Sequence, residues 1–184
     1  MAKSTTGSDL GVLTAGHCVN SLRYFHPSSG ENYWLTDRNG TFSTSGDAQL
    51  HRSPLMMDAW FHAEMNQGRP VLDVRNPIAG ETVCRFGMAS GSALCGAILS
   101  TDVSVHYAAA GVTVNGLASA HMWSTRGDSG GPVYGGNTAM GLIAGTVYSG
   151  NTPVKTDDKR TYITKIKTAE NLTGTCVCRE PVCS

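Results

Sequence analysis

The chain has 184 residues, 14 Lys and Arg balanced by 14 Asp and Glu, 40% apolar residues and only 15% charged ones. That length suits one domain, or two small halves sharing a core. A chain without a concentrated basic surface is no binder of phosphate backbones, which excludes nucleic acid as a default partner. No apolar run reaches the roughly 18 residues of a membrane-spanning helix, so no membrane partner is expected either.

The 22 glycines, with abundant Ser and Thr, favour short strands and tight turns over long helices. In chain order the predicted strands cover residues 10–14, 33–35, 59–61, 71–74, 81–86, 93–99, 103–107, 111–114, 117–122, 132–134, 140–146 and 162–164. Turn-rich pieces such as Pro27-Ser-Ser-Gly30, Asp37-Arg-Asn-Gly40 and Tyr134-Gly-Gly-Asn137 separate them. Strands at such spacing read as an all-β barrel or sandwich. Ile166, Ala169 and Leu172 recur at helical spacing and predict one short helix over 165–172. A seam near Asn76–Gly80 divides the chain into a first unit, 1–76, and a second, 77–172, followed by a Cys-rich tail, 173–184.

Six cysteines (Cys18, Cys84, Cys95, Cys176, Cys178 and Cys183) in a chain of low charge read as up to three disulfides in a secreted protein. Six thiols allow 15 pairings. Cys84 and Cys95 make the readiest pair, because Gly87 and Gly91 between them let the chain turn back. No Cys-x-x-Cys spacing occurs, and no metal or other cofactor is expected. No secretory signal stands at the start, where Met1–Asp9 is polar.

Two strings carry the chemistry: Leu13-Thr-Ala-Gly-His-Cys18 and, about 110 residues on, Arg126-Gly-Asp-Ser-Gly-Gly-Pro132. A serine hydroxyl is a weak nucleophile until a base takes its proton, and an imidazole, with an ordinary pKa of about 6.5, is suited to that near neutral pH. Glycines around Ser129 let the backbone turn sharply and let a carbonyl approach main-chain N–H groups. Together the strings resemble the chymotrypsin-like serine proteases, and the bacterial streptogrisin and α-lytic protease branch in particular. Val83–Gly96 resembles that branch's disulfide-closed hairpin, and Gly141-Leu-Ile-Ala-Gly145 its substrate-pairing strand.

The resemblance implies a double six-stranded β-barrel and a catalytic set of His17, Asp58 and Ser129. Asp58 is placed as the acid because it heads a short apolar strand 41 residues after His17, with Asp47 and Asp73 as substitutes. It further implies an oxyanion hole of the Gly127 and Ser129 N–H groups, a brace of Asp128 against Arg85, and pocket walls at Ala120, His121, Met122, Ala144, Gly145 and Thr146. No acid stands at the base of that pocket, so an apolar residue before the scissile bond is expected. The implied substrates are proteins or peptides, the implied state is a secreted, extracellular monomer, and the branch's pro-segment would lie outside this chain.

Three departures stand against the family pattern. Only 13 residues precede Thr14, so the first barrel is expected to be truncated at its N-terminal end and Cys18 to lack its usual partner, with the tail thiols as substitutes. Trp123 and Thr152 occupy the places of a pocket-flanking disulfide, and the tail Cys176-Val-Cys-Arg-Glu-Pro-Val-Cys183 is an addition. The reading is a serine endopeptidase. The alternative is a catalytically silent protease-fold binding protein, or an inactive fragment.

Overall fold

A computed structural model describes residues 2–5, 10–19, 21–25, 32–54, 58–149 and 152–180. Turns 27–30 and 149–153 of the sequence reading, and Cys183, lie wholly or partly outside the described residues. The architecture is all-β in two lobes, with one short helix.

The first lobe is built from β1 (Ala2–Ser4), β2 (Leu10–Thr14), β3 (Leu22–Phe25), β4 (Asn32–Ser43) and β5 (Gly46–Arg52). A hairpin follows, β6 (Trp60–Glu64) and β7 (Gln67–Pro70). The second lobe takes β8 (Asp73–Val74), β9 (Thr82–Gly87), β10 (Ser92–Tyr107), β11 (Val112–Ala120), β12 (Pro132–Gly135) and β13 (Thr138–Thr146). After the small pair β14 (Tyr148–Ser149) and β15 (Thr152–Pro153) come β16 (Thr161–Lys165), helix α1 (Ile166–Thr173) and β17 (Thr175–Val177).

The first sheet runs β17-β1-β2-β5-β4-β3. The expectation of a first sheet short of strands is not met: it has six, because β1 lies beside β2 and the tail strand β17 lies beside β1. Those pairings cover the edge of β2, whose backbone groups would otherwise need water. The end strands β17 and β3 are not paired with each other among the described residues, so the expected closed barrel is not the form this lobe takes.

The second sheet runs β12-β9-β10-β11-β16-β13-β8, and β12 pairs with β13 as well as β9, bringing the two sides of the sheet together. Val83, Ile98, Ala118, Ala120, Met122, Val133, Met140, Ile143 and Ile163 pack inside it as one cluster. Alternation along each strand turns these side chains to the same interior. Cys84 and Cys95 sit directly opposite in the β9–β10 ladder and are joined by the expected disulfide.

Helix α1 closes the seam between lobes. Lys165 precedes it without a capping hydrogen bond, Gly174 ends it in the left-handed conformation (φ 62°), and Ala169 and Leu172 pack with Ala48 of β5 and Leu142 of β13. Across the same seam Thr164 Oγ1 donates to the Asp47 carbonyl at 2.8 Å and Asn115 N–H to the Thr44 carbonyl at 3.2 Å. The seam is where the signature residues of both lobes meet.

Candidate active site

His17 stands in the turn after β2. Gly16 before it lies so close to β4 that an added Cβ would sit 2.0 Å from the Thr41 carbonyl oxygen, so only glycine fits there. The turn is tied by Cys18 N–H to the Ala15 carbonyl (3.1 Å) and by the Gln49 side-chain amide to the Cys18 carbonyl (3.2 Å).

The acid facing His17 is Asp47 of β5, not Asp58. Asp47 Oδ2 lies 2.8 Å from His17 Nδ1, and Oδ1 accepts the His17 backbone N–H at 2.9 Å. The Asp47 side chain is fully buried while the imidazole keeps 26% of its surface open. A carboxylate that accepts from Nδ1 fixes the tautomer in which Nε2 is free to take a proton. Asp58 is exposed instead, just before β6 and on the lip of an apolar groove lined by Val12, Phe61, Phe86 and Gly131. The hairpin that carries it is pinned by the tail, Glu180 Oε1 accepting the Trp60 indole N–H at 3.1 Å. Asp73 is used in β8.

The reason the sequence points the wrong way is local. Asp47-Ala-Gln-Leu-His51 alternates strictly, but its apolar residues are few and its polar face (Asp47, Gln49, His51) is buried. Aromatic rings complete the surroundings of the imidazole: Phe42 at 5.5 Å and Tyr107 at 6.0 Å between centroids, the two meeting edge to face at 5.3 Å. The Tyr107 hydroxyl donates to the Ala144 carbonyl at 3.0 Å, and burial, with the Asp47 charge adding to it, pushes its pKa well above the usual tyrosine range. None of the motif strings pointed to Phe42 or Tyr107.

The Ser129 loop is pressed onto the end of β2. A Cβ on Gly130 would lie 1.9 Å from Thr14 Oγ1, and the Cys18 thiol approaches the Ser129 carbonyl at 3.8 Å. The loop is thereby brought beside the His17 turn. Cys18 is free, as is Cys176, so the expected capture of Cys18 by a tail thiol does not occur; Cys178 is buried and disulfide-bonded. Within the loop Asp128, Gly130 and Gly131 N–H donate to Thr125, Ile143 and Asp128 carbonyls respectively. Among the described residues the Gly127 and Ser129 N–H groups take no acceptor. Gly127 (φ 91°) and Gly130 (φ 82°) hold backbone conformations that side-chain-bearing residues avoid.

Asp128 and Arg85 are both fully buried, and their closest approach is 3.8 Å. Each bonds to other groups, and among the described residues the one partner they share is Ser90. Asp128 accepts the N–H groups of Ser90 (2.8 Å) and Thr125 (3.0 Å). Arg85 donates to the Trp123 carbonyl (2.9 Å), to the Ser92 carbonyl (2.9 Å) and to the Ser90 hydroxyl. Burial pulls the guanidinium below its ordinary range and Asp128 opposes that. Gly87 leaves room for the Asp128 carboxyl, which would lie 2.2 Å from a Cβ there.

Where a pocket-flanking disulfide was expected, Trp123 is held by charge. The Arg85 guanidinium lies 5.0 Å and the Lys155 ammonium 4.2 Å from the centre of its ring, and the second contact ties the loop after β15 to the loop before Ser129. Of the expected pocket-wall residues, Ala120, Met122 and Ala144 are buried in the cores of the second lobe. His121 turns its ring to the Asp157 carbonyl (3.0 Å), and Gly145 and Thr146 are half-buried. No group of three or more His, Cys, Asp or Glu side chains that could hold a metal occurs among the described residues.

An all-β two-lobed fold with a histidine–carboxylate pair beside a Gly-Asp-Ser-Gly loop defines the class of serine-protease-type hydrolases. Comparison with known proteins agrees. The chain is 30% identical over 145 residues to serine protease 2 of Streptomyces fradiae, covering 78% of this chain and 82% of that one. It is 28% identical over 136 residues to streptogrisin-A of Streptomyces griseus, covering 73% of this chain and 42% of that relative's length. Among solved structures, Thermobifida fusca protease A superposes with a TM-score of 0.76 at 23% identity, over 97% of this chain and 88% of that one. A glutamic acid-specific serine protease gives 0.78 at 20% identity, over 96% and 91%. No protein-family model matches. The chain belongs to the chymotrypsin-like serine proteases, in the streptogrisin and α-lytic protease branch.

Proposed function

We propose that this protein is a serine endopeptidase whose catalytic set is His17, Asp47 and Ser129. The observation that carries the reading is the His17–Asp47 pair, doubly hydrogen-bonded and buried on the carboxylate side, with the Ser129 loop packed against the same turn. Ser129 Oγ attacks the peptide carbonyl carbon while His17 Nε2 takes its proton, and Asp47 stabilises the imidazolium. The carbonyl oxygen, now an oxyanion, takes the N–H groups of Gly127 and Ser129, which have no acceptor among the described residues. His17 then returns the proton to the leaving amine, and water, activated by the same imidazole, releases the acyl group from Ser129.

Asp128 and Arg85 hold the loop that presents those N–H groups, without touching substrate. Of the expected pocket walls, His121, Gly145 and Thr146 are the ones left partly open, and the absence of a carboxylate among them favours an apolar residue before the scissile bond. Action outside the cell on proteins or peptides follows the family pattern.

A fluorophosphonate probe tests the reading. Wild-type protein should be labelled on Ser129, identified by peptide mass spectrometry, and the Ser129→Ala variant should not. A folded wild-type chain that takes no label would overturn it in favour of a catalytically silent binding protein.

A further inference from the structure

We propose that the primary specificity site is shallow and accepts only a small residue, alanine or serine, before the scissile bond. The inference rests on the endopeptidase reading and narrows its apolar preference. A deep pocket needs the segment before the nucleophile loop and the end of β13 to stand apart, so that a long side chain can slide between them. Here side chains lace those two walls together.

Ser124 is the centre of the lacing and is 1% exposed. Its hydroxyl reaches the Gly145 carbonyl at 3.5 Å, and its N–H reaches Thr146 Oγ1 at 3.4 Å. Thr146 Oγ1 in turn donates to the Arg160 carbonyl at 2.7 Å. From the third side Thr161, fully buried, donates to the Met122 carbonyl at 2.9 Å and lies 3.2 Å from Ser124 Oγ.

Two of the three residues are β-branched, with χ1 restricted, and each hydroxyl already has a partner. A phenylalanine or leucine side chain would have to part Ser124 from Gly145 and Thr146, leaving buried polar groups without partners. A methyl or hydroxymethyl group needs no such parting, because it ends at the half-buried backbone of Gly145.

The test is a set of peptide p-nitroanilides that differ only in the residue before the cleaved bond (Ala, Ser, Leu and Phe), with active enzyme counted by fluorophosphonate titration. The wild type should prefer Ala to Phe by about 100-fold in kcat/KM, the order of discrimination that steric limits supply. Ser124→Gly should raise Leu and Phe relative to Ala by about tenfold, and Thr146→Gly should do the same from the opposite wall. Titratable wild-type enzyme that cleaves after Phe or Leu as well as after Ala overturns this inference and leaves the endopeptidase reading standing. Wild-type protein that takes no titrant overturns both.

Discussion

The two lobes bring their shares of the site to the seam by different means. In the first, the carboxylate facing His17 is carried near the start of a strand: Asp47, Gln49 and His51 line one face of β5, all buried, and the apolar face is left to Ala48 and Leu50. In the second, the strands keep an apolar interior, and Ser129 is carried by a loop outside it, braced by the buried Arg85 and Asp128. A residue fixed by a strand ladder inherits its position from the whole sheet. A residue on a glycine-rich loop needs dedicated polar partners to hold still, and the second lobe supplies them through Ser90, Trp123 and Thr125.

The largest effect that would break this contrast is at Arg85. Arg85→Met removes the cation facing buried Asp128 and the donor to the Trp123 and Ser92 carbonyls. Urea denaturation should show a loss of about 3–5 kcal/mol, the usual cost of stranding one member of a buried ion pair. A loss under about 1 kcal/mol would mean that the loop is held by other contacts.

A smaller effect is expected at Trp123. Trp123→Ala deletes two cation–π contacts, worth about 1–2 kcal/mol together. Deuterium uptake should rise in residues 153–160, which Lys155 no longer tethers, while β5 is unchanged. Equal uptake in the variant and in wild type would show that Trp123 does not stand in for a cross-link.

The smallest is at the connection between lobes, where Arg75 and Glu81 form an exposed ion pair at 2.8 Å. The hydrogen bond from Arg75 holds the Glu81 carboxyl below its ordinary range, with the Ile78 N–H assisting and burial opposing. A depressed carboxyl stabilises the fold above its unfolded pKa, and that share is lost as pH falls through the folded value. Glu81→Gln should therefore cost under about 1 kcal/mol at neutral pH. The difference should shrink in high salt and vanish on acidification below the normal carboxylate range.

Much of this molecule was legible in its sequence, and the parts that were not share a cause. The histidine turn and the serine loop are marked by glycines whose places are dictated by close approach, as Gly16 and Gly130 show. The Cys84–Cys95 link needs only a hairpin. Asp47 stands only as a substitute in the sequence because a strand that buries a polar face lacks the apolar run by which strands are recognised, whereas Asp58 precedes such a run and is exposed. The alternation from Asp47 to His51 was the signal available. The pairing of β1 with β17 joins residues at opposite ends of the chain, and the Lys155 stack on Trp123 joins two loops. No local pattern reports such contacts.

The central claim is that Asp47 orients His17 for Ser129. It is tested most directly by kcat/KM for peptide hydrolysis in Asp47→Asn and Asp58→Asn, each checked for folding by thermal denaturation. Asp47→Asn should lose on the order of 10⁴-fold, as expected when the wrong imidazole tautomer is held, and Asp58→Asn should stay within about twofold of wild type, as an exposed residue outside the site should. A folded Asp47→Asn enzyme of near wild-type activity, or a collapse of activity in Asp58→Asn, would contradict the account.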